Sequence, residues 1–280
     1  MRLLKMHGIG NDYVYADCMH ETISEPEKFA VRISDRHFGV GGDGLIMICP
    51  SDVADCRMQM YNNDGSEGRM CGNGIRCVGK FMHDSGYISG DSLTVETKSG
   101  IKALKLLIDP ESGSCTGATV DMGVPTFTPA RIPMVWPEAD TLNVKVSSKG
   151  KTYDAVCVNV GNPHCVIFVD NADMIDPSAC GPEIERSPMF PEGVNVEFVT
   201  VLDRRHLRMR VWERGTGITM ACGTGSVASA CAAVLKGFTD SEVTVRLDGG
   251  DLLIRYDKDT GRAYMTGAAT YVFDVVNYQG

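Results

Sequence analysis

Several features are missing from this sequence, and each absence narrows what the protein does. No apolar stretch approaches the roughly 20 residues that cross a bilayer. The opening Met1-Arg2-Leu3-Leu4-Lys5 runs into polar sequence rather than the apolar segment of a signal peptide. Positive charge is in deficit: 27 Lys and Arg against 36 Asp and Glu leave a net charge of −9. That balance argues against nucleic acid or an anionic membrane as partner. Neither G-x-G-x-x-G between a strand and a helix nor a G-K-[ST] ending occurs, so no nucleotide phosphate cup is expected. Cys-x-x-Cys pairs are absent as well. The eleven cysteines are odd in number and follow neither a disulfide framework nor a zinc-ligand spacing, so we expect no metal and a reducing cytoplasm.

What is present is an ordinary globular composition, 43% hydrophobic and 22% charged, over 280 residues. That length suits two domains of similar size. One phrase occurs twice. Cys71-Gly72-Asn73-Gly74 opens an apolar run, and Cys222-Gly223-Thr224-Gly225 opens another, 222 − 71 = 151 residues later. The same offset lines up Arg57-Met58-Gln59-Met60-Tyr61 with Arg208-Met209-Arg210-Val211-Trp212, and Gly10-Asn11 with Gly161-Asn162. Such a register implies a duplication, with one cysteine in each half.

In each half an alternating strand leads through a glycine-bearing turn to the cysteine and then to a helix. Glycines there leave backbone N–H groups uncovered, and uncovered N–H groups at a helix start attract an anion such as a carboxylate. The same positive end is expected to lower the pKa of a cysteine placed on it. One such cysteine suggests a nucleophile, and a related pair suggests two acid/base groups serving opposite faces of one carbon.

Along the chain, strands are expected at 1–17 with a break at Gly8-Ile9-Gly10-Asn11-Asp12, at 45–49 and 51–61, and, after the first cysteine helix, at 92–98, 101–108 and 119–122. Pro26 to Ser34 reads as a helix. The segment 123–137, with Pro125, Pro129, Pro133 and Pro137, reads as a linker. The second half repeats the plan: strands at 153–160, 165–169, 194–201 and 207–212, a helix at 176–185, the second cysteine helix, and strands at 243–247, 251–256 and 262–266. The tail 268–276 is expected to return to the first half. The domains are therefore placed at 1–122 with 267–280, and at 123–266.

Asn62-x-Asp64-Gly65-Ser66, Cys71-Gly72-Asn73-Gly74-x-Arg76, Gly161-Asn162-Pro163-His164, Glu213-Arg214-Gly215-x-Gly217 and Ala221-Cys222-Gly223-Thr224-Gly225 follow in that order. Together they resemble the diaminopimelate epimerase family from Gly8 to Gly267, a pattern related to the cofactor-independent fold of proline racemase. The resemblance implies an α/β (α+β) fold of two pseudo-symmetric domains, each a curled, mainly antiparallel sheet around a central helix. It implies interconversion of LL- and meso-diaminopimelate, a small-molecule substrate, in lysine and cell-wall precursor synthesis. A homodimer and the absence of any cofactor are implied too.

By the same resemblance Cys71 is proton donor and Cys222 acceptor in one direction, and His164 and Glu213 bind near the substrate amine and tune the thiols. Backbone N–H groups of Gly72, Asn73, Gly223 and Thr224 would hold the α-carboxylate. Asn62, Asn162, Asn195 and Arg214 would hold the distal amino-acid centre, with Arg214 suited to grip a carboxylate. Asn11 would stand beside the reacting C–H. The chain departs from the pattern at Gly44, where some members have Gln, at Ile218, often Glu, and at Phe273, in some members a tyrosine at the dimer contact. Rival readings are a proline, hydroxyproline, histidine or glutamate racemase of the same fold, a non-catalytic binding protein, and a thiol-redox or metal protein.

Overall fold

The computed structural model describes residues 1–278. The chain divides into two compact units, Met1–Asp121 with the segment from Thr266 onward, and Met122–Met265. Each is a mixed α/β unit built mostly from strands.

The first unit contains β1 (Leu3–Gly8), β2 (Asn11–Asp17), α1 (Pro26–Ser34), β3 (Gly44–Cys49), β4 (Cys56–Asn62), β5 (Glu67–Gly68), α2 (Gly72–Asp84), β6 (Ser92–Thr97), β7 (Gly100–Ile108) and β8 (Cys115–Gly123, whose last two residues fall in the second unit). Its strands pair in the order β8-β7-β6-β4-β3-β2-β1, parallel at β2–β3 and β4–β6 and antiparallel elsewhere. Both faces of this sheet are covered, so its central strands are buried on alternate sides. Val14 and Ala16 of β2 pack with Ala30 and Ile33 of α1, whereas Tyr15 turns the other way and donates its hydroxyl to the Gly74 carbonyl of α2 at 3.4 Å.

The second unit repeats this plan with β9 (Val144–Ser148), β10 (Lys151–Asn159), β11 (Pro163–Phe168), α3 (Pro177–Glu185), β12 (Asn195–Asp203), β13 (His206–Glu213), β14 (Gly217–Ile218), α4 (Gly223–Leu235), β15 (Glu242–Arg246) and β16 (Asp251–Tyr256). Its strands pair β9-β10-β11-β12-β13-β15-β16, parallel at β11–β12 and β13–β15. The chain then enters β17 (Ala263–Ala268) and β18 (Thr270–Val275), and β18 pairs antiparallel with β1.

The 151-residue offset is structural. α3 begins 177 − 26 = 151 residues after α1, and α4 begins 223 − 72 = 151 after α2. Ile46 faces Met60 across β3–β4, and Glu197 faces Val211 across β12–β13, again 151 apart at both positions. The inner helices differ in how they are buried. α4 is alanine-rich and buried on nearly every side, as a helix apolar all round must be. α2 instead buries Arg76, whose guanidinium binds the carbonyls of Gly72 (3.0 Å) and Ala268 (3.1 Å) and the Asn73 amide oxygen (3.1 Å).

Three expectations needed correction. The strand read from Ser51 begins only at Cys56, because the Ser51 hydroxyl accepts from the N–H groups of Val53 and Ala54 and turns the backbone. The proline-rich segment is not a loose linker: Ile132 and Met134 lie in the second unit's core, and Thr126 bridges Asn159. β9 was not anticipated at all; its Val144 and Val146 complete that core.

Candidate active site

Around Cys71 the first half-site is built from helix geometry and one loop. Cys71 is the N-cap of α2, and its sulfur accepts the Gly74 N–H at 3.3 Å, satisfying one of the donors that a helix start leaves open. Gly72 and Asn73, both buried, are the first two residues of that helix. The Cys71 thiol donates to the Asn11 amide oxygen at 3.2 Å. Asn11 heads β2, and its amide nitrogen donates to Asp43 at 2.7 Å. Asp43 also accepts from the Asp12 N–H at 3.1 Å and from Arg36 at 3.0 Å, and Arg36 reaches Asp12 at 2.8 Å. Burial, and the charge of Asp12, hold the Asp43 carboxyl above its ordinary range.

Cys222 occupies the matching place in the second half. It is the N-cap of α4, is buried, and accepts the Gly225 N–H at 3.4 Å, with the Thr224 hydroxyl 3.7 Å away. Its surroundings differ in kind from those of Cys71. Glu213, at the end of β13, accepts a hydrogen bond from the Thr219 hydroxyl, and its charge acts on Cys222. Glu213 is half-buried by surface area, yet enough protein packs around it that desolvation holds its carboxyl above the usual range. His164 on β11 is fully buried, with Nδ1 2.6 Å from Glu197 of β12 and Nε2 2.9 Å from the Asn162 amide oxygen.

The expected lowering of the cysteine pKa by the helix start does not hold at Cys222. Its thiol is pushed well above the ordinary range, first by burial and then by the charges of Glu213 and Glu197, with the Gly225 N–H opposing. The magnitudes agree with this order. A helix terminus contributes at most about 2 kcal/mol, whereas full burial shifts a thiol by as much as roughly 3–5 pK units.

Asn195 is buried beside this group. Its amide nitrogen donates to the Pro163 carbonyl at 2.8 Å and its oxygen accepts the Arg214 N–H at 2.9 Å, so it ties the start of β11 to the end of β13. The Arg214 side chain is exposed and donates to the Glu192 carbonyl at 2.8 Å. Asn62 is half-buried at the end of β4 and donates to the Ser66 hydroxyl at 2.9 Å, closing the turn before β5. Thus Asn11, Asn73 and Cys71 gather in the first unit, with Asn62 on β4, separated from Asn11's β2 by β3. Asn162, His164, Asn195, Glu213, Arg214, Thr224 and Cys222 gather in the second. Sequence reasoning missed Glu197, Thr219 and the support of Asn11 by Asp43. Glu197 falls on an inward position of an alternating strand, and an acidic residue there was the available signal. Among the described residues no three His, Cys, Asp or Glu side chains come together as they would around a metal ion.

A family model for diaminopimelate epimerase matches residues 3–128 and 156–272. The chain belongs to the diaminopimelate epimerase family. A diaminopimelate epimerase of Acetivibrio thermocellus is 47% identical over 274 residues, covering 98% of this chain and 97% of that one. Its counterpart in Desulfovibrio desulfuricans is 48% identical over 279 residues, covering 98% and 96%. Among solved structures, a hydroxyproline epimerase from Agrobacterium vitis shares the fold, with a TM-score of 0.72 at 15% identity and coverage of 98% and 91%. A Cβ on Gly44 would stand 2.1 Å from the Tyr61 carbonyl oxygen, because β3 and β4 approach closely there.

Proposed function

We propose that this chain interconverts LL- and meso-diaminopimelate by proton transfer at one α carbon, without a cofactor. What carries the reading is the recurrence, in two halves of one sequence, of a cysteine that caps a glycine-opened helix. The near-full-length identity to diaminopimelate epimerases supports the substrate.

On this reading one cysteine, as thiolate, takes the α proton, and the electron pair left behind spreads into the substrate carboxylate. Backbone N–H groups of Gly72, Asn73, Gly223 and Thr224 meet the charge that develops there. The other cysteine, as thiol, gives its proton to the opposite face. The carbon ends inverted, and the two sulfurs have exchanged protonation states. In one direction Cys222 is the acceptor and Cys71 the donor. Glu213, whose charge raises the Cys222 thiol, tunes that sulfur and, with His164, faces the substrate amine. His164 meets the substrate amine, with Asn11 beside the reacting C–H. Asn62, Asn162, Asn195 and Arg214 hold the distal end, and a planar guanidinium suits a carboxylate there.

The protein is further proposed to act as a cytoplasmic homodimer. Among the described residues no helix is long and apolar enough to cross a membrane. Tyr271, Val272 and Phe273 on β18 are each more than 40% exposed, an apolar run that a second copy would cover. A substrate panel tests the activity: turnover of diaminopimelate is expected, with proline, hydroxyproline, histidine and glutamate left untouched. Comparable turnover of any of those four would instead favour another racemase of this fold.

A further inference from the structure

His164 and Glu197 stand on the adjacent parallel strands β11 and β12, two register positions apart, and neither exposes any surface. Nδ1 of the imidazole lies 2.6 Å from Oε1 of the carboxylate. The second carboxylate oxygen, Oε2, has no hydrogen-bond partner. A fully buried acid with half its acceptors unused is costly to a fold, and this fold has no need of it. At the equivalent point of the first unit, 197 − 46 = 151 residues earlier, stands Ile46, also fully buried. His164 is matched there by Tyr13, 164 − 13 = 151 residues earlier. An apolar solution to the same packing problem therefore exists in the same chain.

The acid is also fitted to the Cys222 loop. A Cβ on Gly225 would come within 2.8 Å of Glu197 Oε1 and 3.2 Å of the Cys222 sulfur, so the bare glycine makes room for both. Nδ1 of His164 is turned to this carboxylate and Nε2 to the Asn162 amide oxygen, so the two contacts together fix the plane of the imidazole. Three further titratable groups are coupled to this pair by charge: Glu213 at the end of β13, Cys222 ahead of α4, and Cys165 on β11.

We propose that Glu197 is a positioning residue of the reaction, holding the His164 ring through Nδ1 so that its Nε2 edge, beside Asn162, faces the substrate's amine. The part concerning the amine rests on the function proposed above; the part concerning the imidazole does not. Glu197→Ile copies the first unit's own arrangement and removes the acceptor, whereas Glu197→Gln keeps an acceptor oxygen and loses the charge. With diaminopimelate as substrate, Glu197→Ile is expected to lose about tenfold or more in kcat while KM changes little, as when an orienting partner is removed. The pH profile of kcat moves with it, and Glu197→Gln recovers part of the loss. Ring ¹⁵N spectra of His164 should report hydrogen on Nδ1 in the parent protein and loss of that preference in Glu197→Ile.

A folded Glu197→Ile variant with unchanged kcat, pH profile and ring spectrum overturns the proposal. If Glu197→Ile does not fold, Glu197→Gln carries the test: a shifted pH profile and an altered ring spectrum support it, and parental values for both overturn it. Failure of the parent protein to turn over diaminopimelate would count against the proposed substrate, while the ring spectrum still decides whether Glu197 holds His164.

Discussion

Asn11 faces Cys71 with its amide oxygen and not its nitrogen. Its nitrogen is committed to Asp43 at 2.7 Å, and a carboxylate can only accept, so the oxygen is left to receive the Cys71 S–H at 3.2 Å. The acid thereby sets the direction of a hydrogen bond two groups away and favours the thiol at Cys71.

Replacing Asp43 with Asn frees the Asn11 amide to turn over and offer N–H to the sulfur. One neutral hydrogen bond is worth about 1 kcal/mol, so alkylation of Cys71 by iodoacetamide at neutral pH should quicken about fivefold. Mass-spectrometric mapping of the modified cysteine checks this. An unchanged rate at Cys71 in a folded variant would mean that Asp43 does not act through Asn11.

Glu213→Gln removes one of the two charges that raise the Cys222 thiol. More thiolate is then present at a given pH, and alkylation of Cys222 should be severalfold faster than in the parent, even as epimerisation is lost. Slower alkylation would show that the carboxylate had been activating the resting sulfur instead of keeping it protonated.

The same substitution has a stability consequence. In the folded protein the Glu213 carboxyl lies above its unfolded value, chiefly through burial. Its proton therefore stabilises the native state fully below the unfolded pKa of roughly 4.3, and that contribution fades as pH rises through the folded value. At pH 8 the native state carries a desolvated carboxylate, which a neutral amide avoids. Thermal melts should show Glu213→Gln more stable than the parent at pH 8, with the gain shrinking toward pH 4.

Much of this arrangement is legible in the sequence because it depends on residues whose local demands are strong. Pro26 and Pro177 open α1 and α3 where their missing N–H costs nothing. Each cysteine-glycine phrase marks the first turn of an inner helix, and the repeat spacing carries over into strand register. What stayed hidden depends on partners far away in the chain. Glu197 matters because strand pairing sets it beside His164, 33 positions away. Asp43 matters because a loop folds it back on Asn11. Ser51 delays the start of an otherwise strand-like run through side-chain bonds that residue alternation does not register.

Gly44→Ala tests the close approach of β3 and β4. With a Cβ forced to 2.1 Å from the Tyr61 carbonyl oxygen, backbone must move, since the nearest atom belongs to the main chain. A loss of about 3 kcal/mol or more is expected in urea unfolding, the scale of overpacking against rigid neighbours. A change within about 0.5 kcal/mol, typical of an unconstrained surface site, would mean that the two strands separate easily.

The most direct test follows LL-diaminopimelate in heavy water by proton NMR and mass spectrometry, with dialysed protein and no added cofactor. Two cysteines serving opposite faces predict that, in the first turnovers, meso product carries one solvent deuterium while the remaining LL substrate keeps its proton. Cys71→Ala and Cys222→Ala should each abolish formation of the product. Deuterium entering substrate and product equally from the start, or full turnover by either variant, would contradict the account.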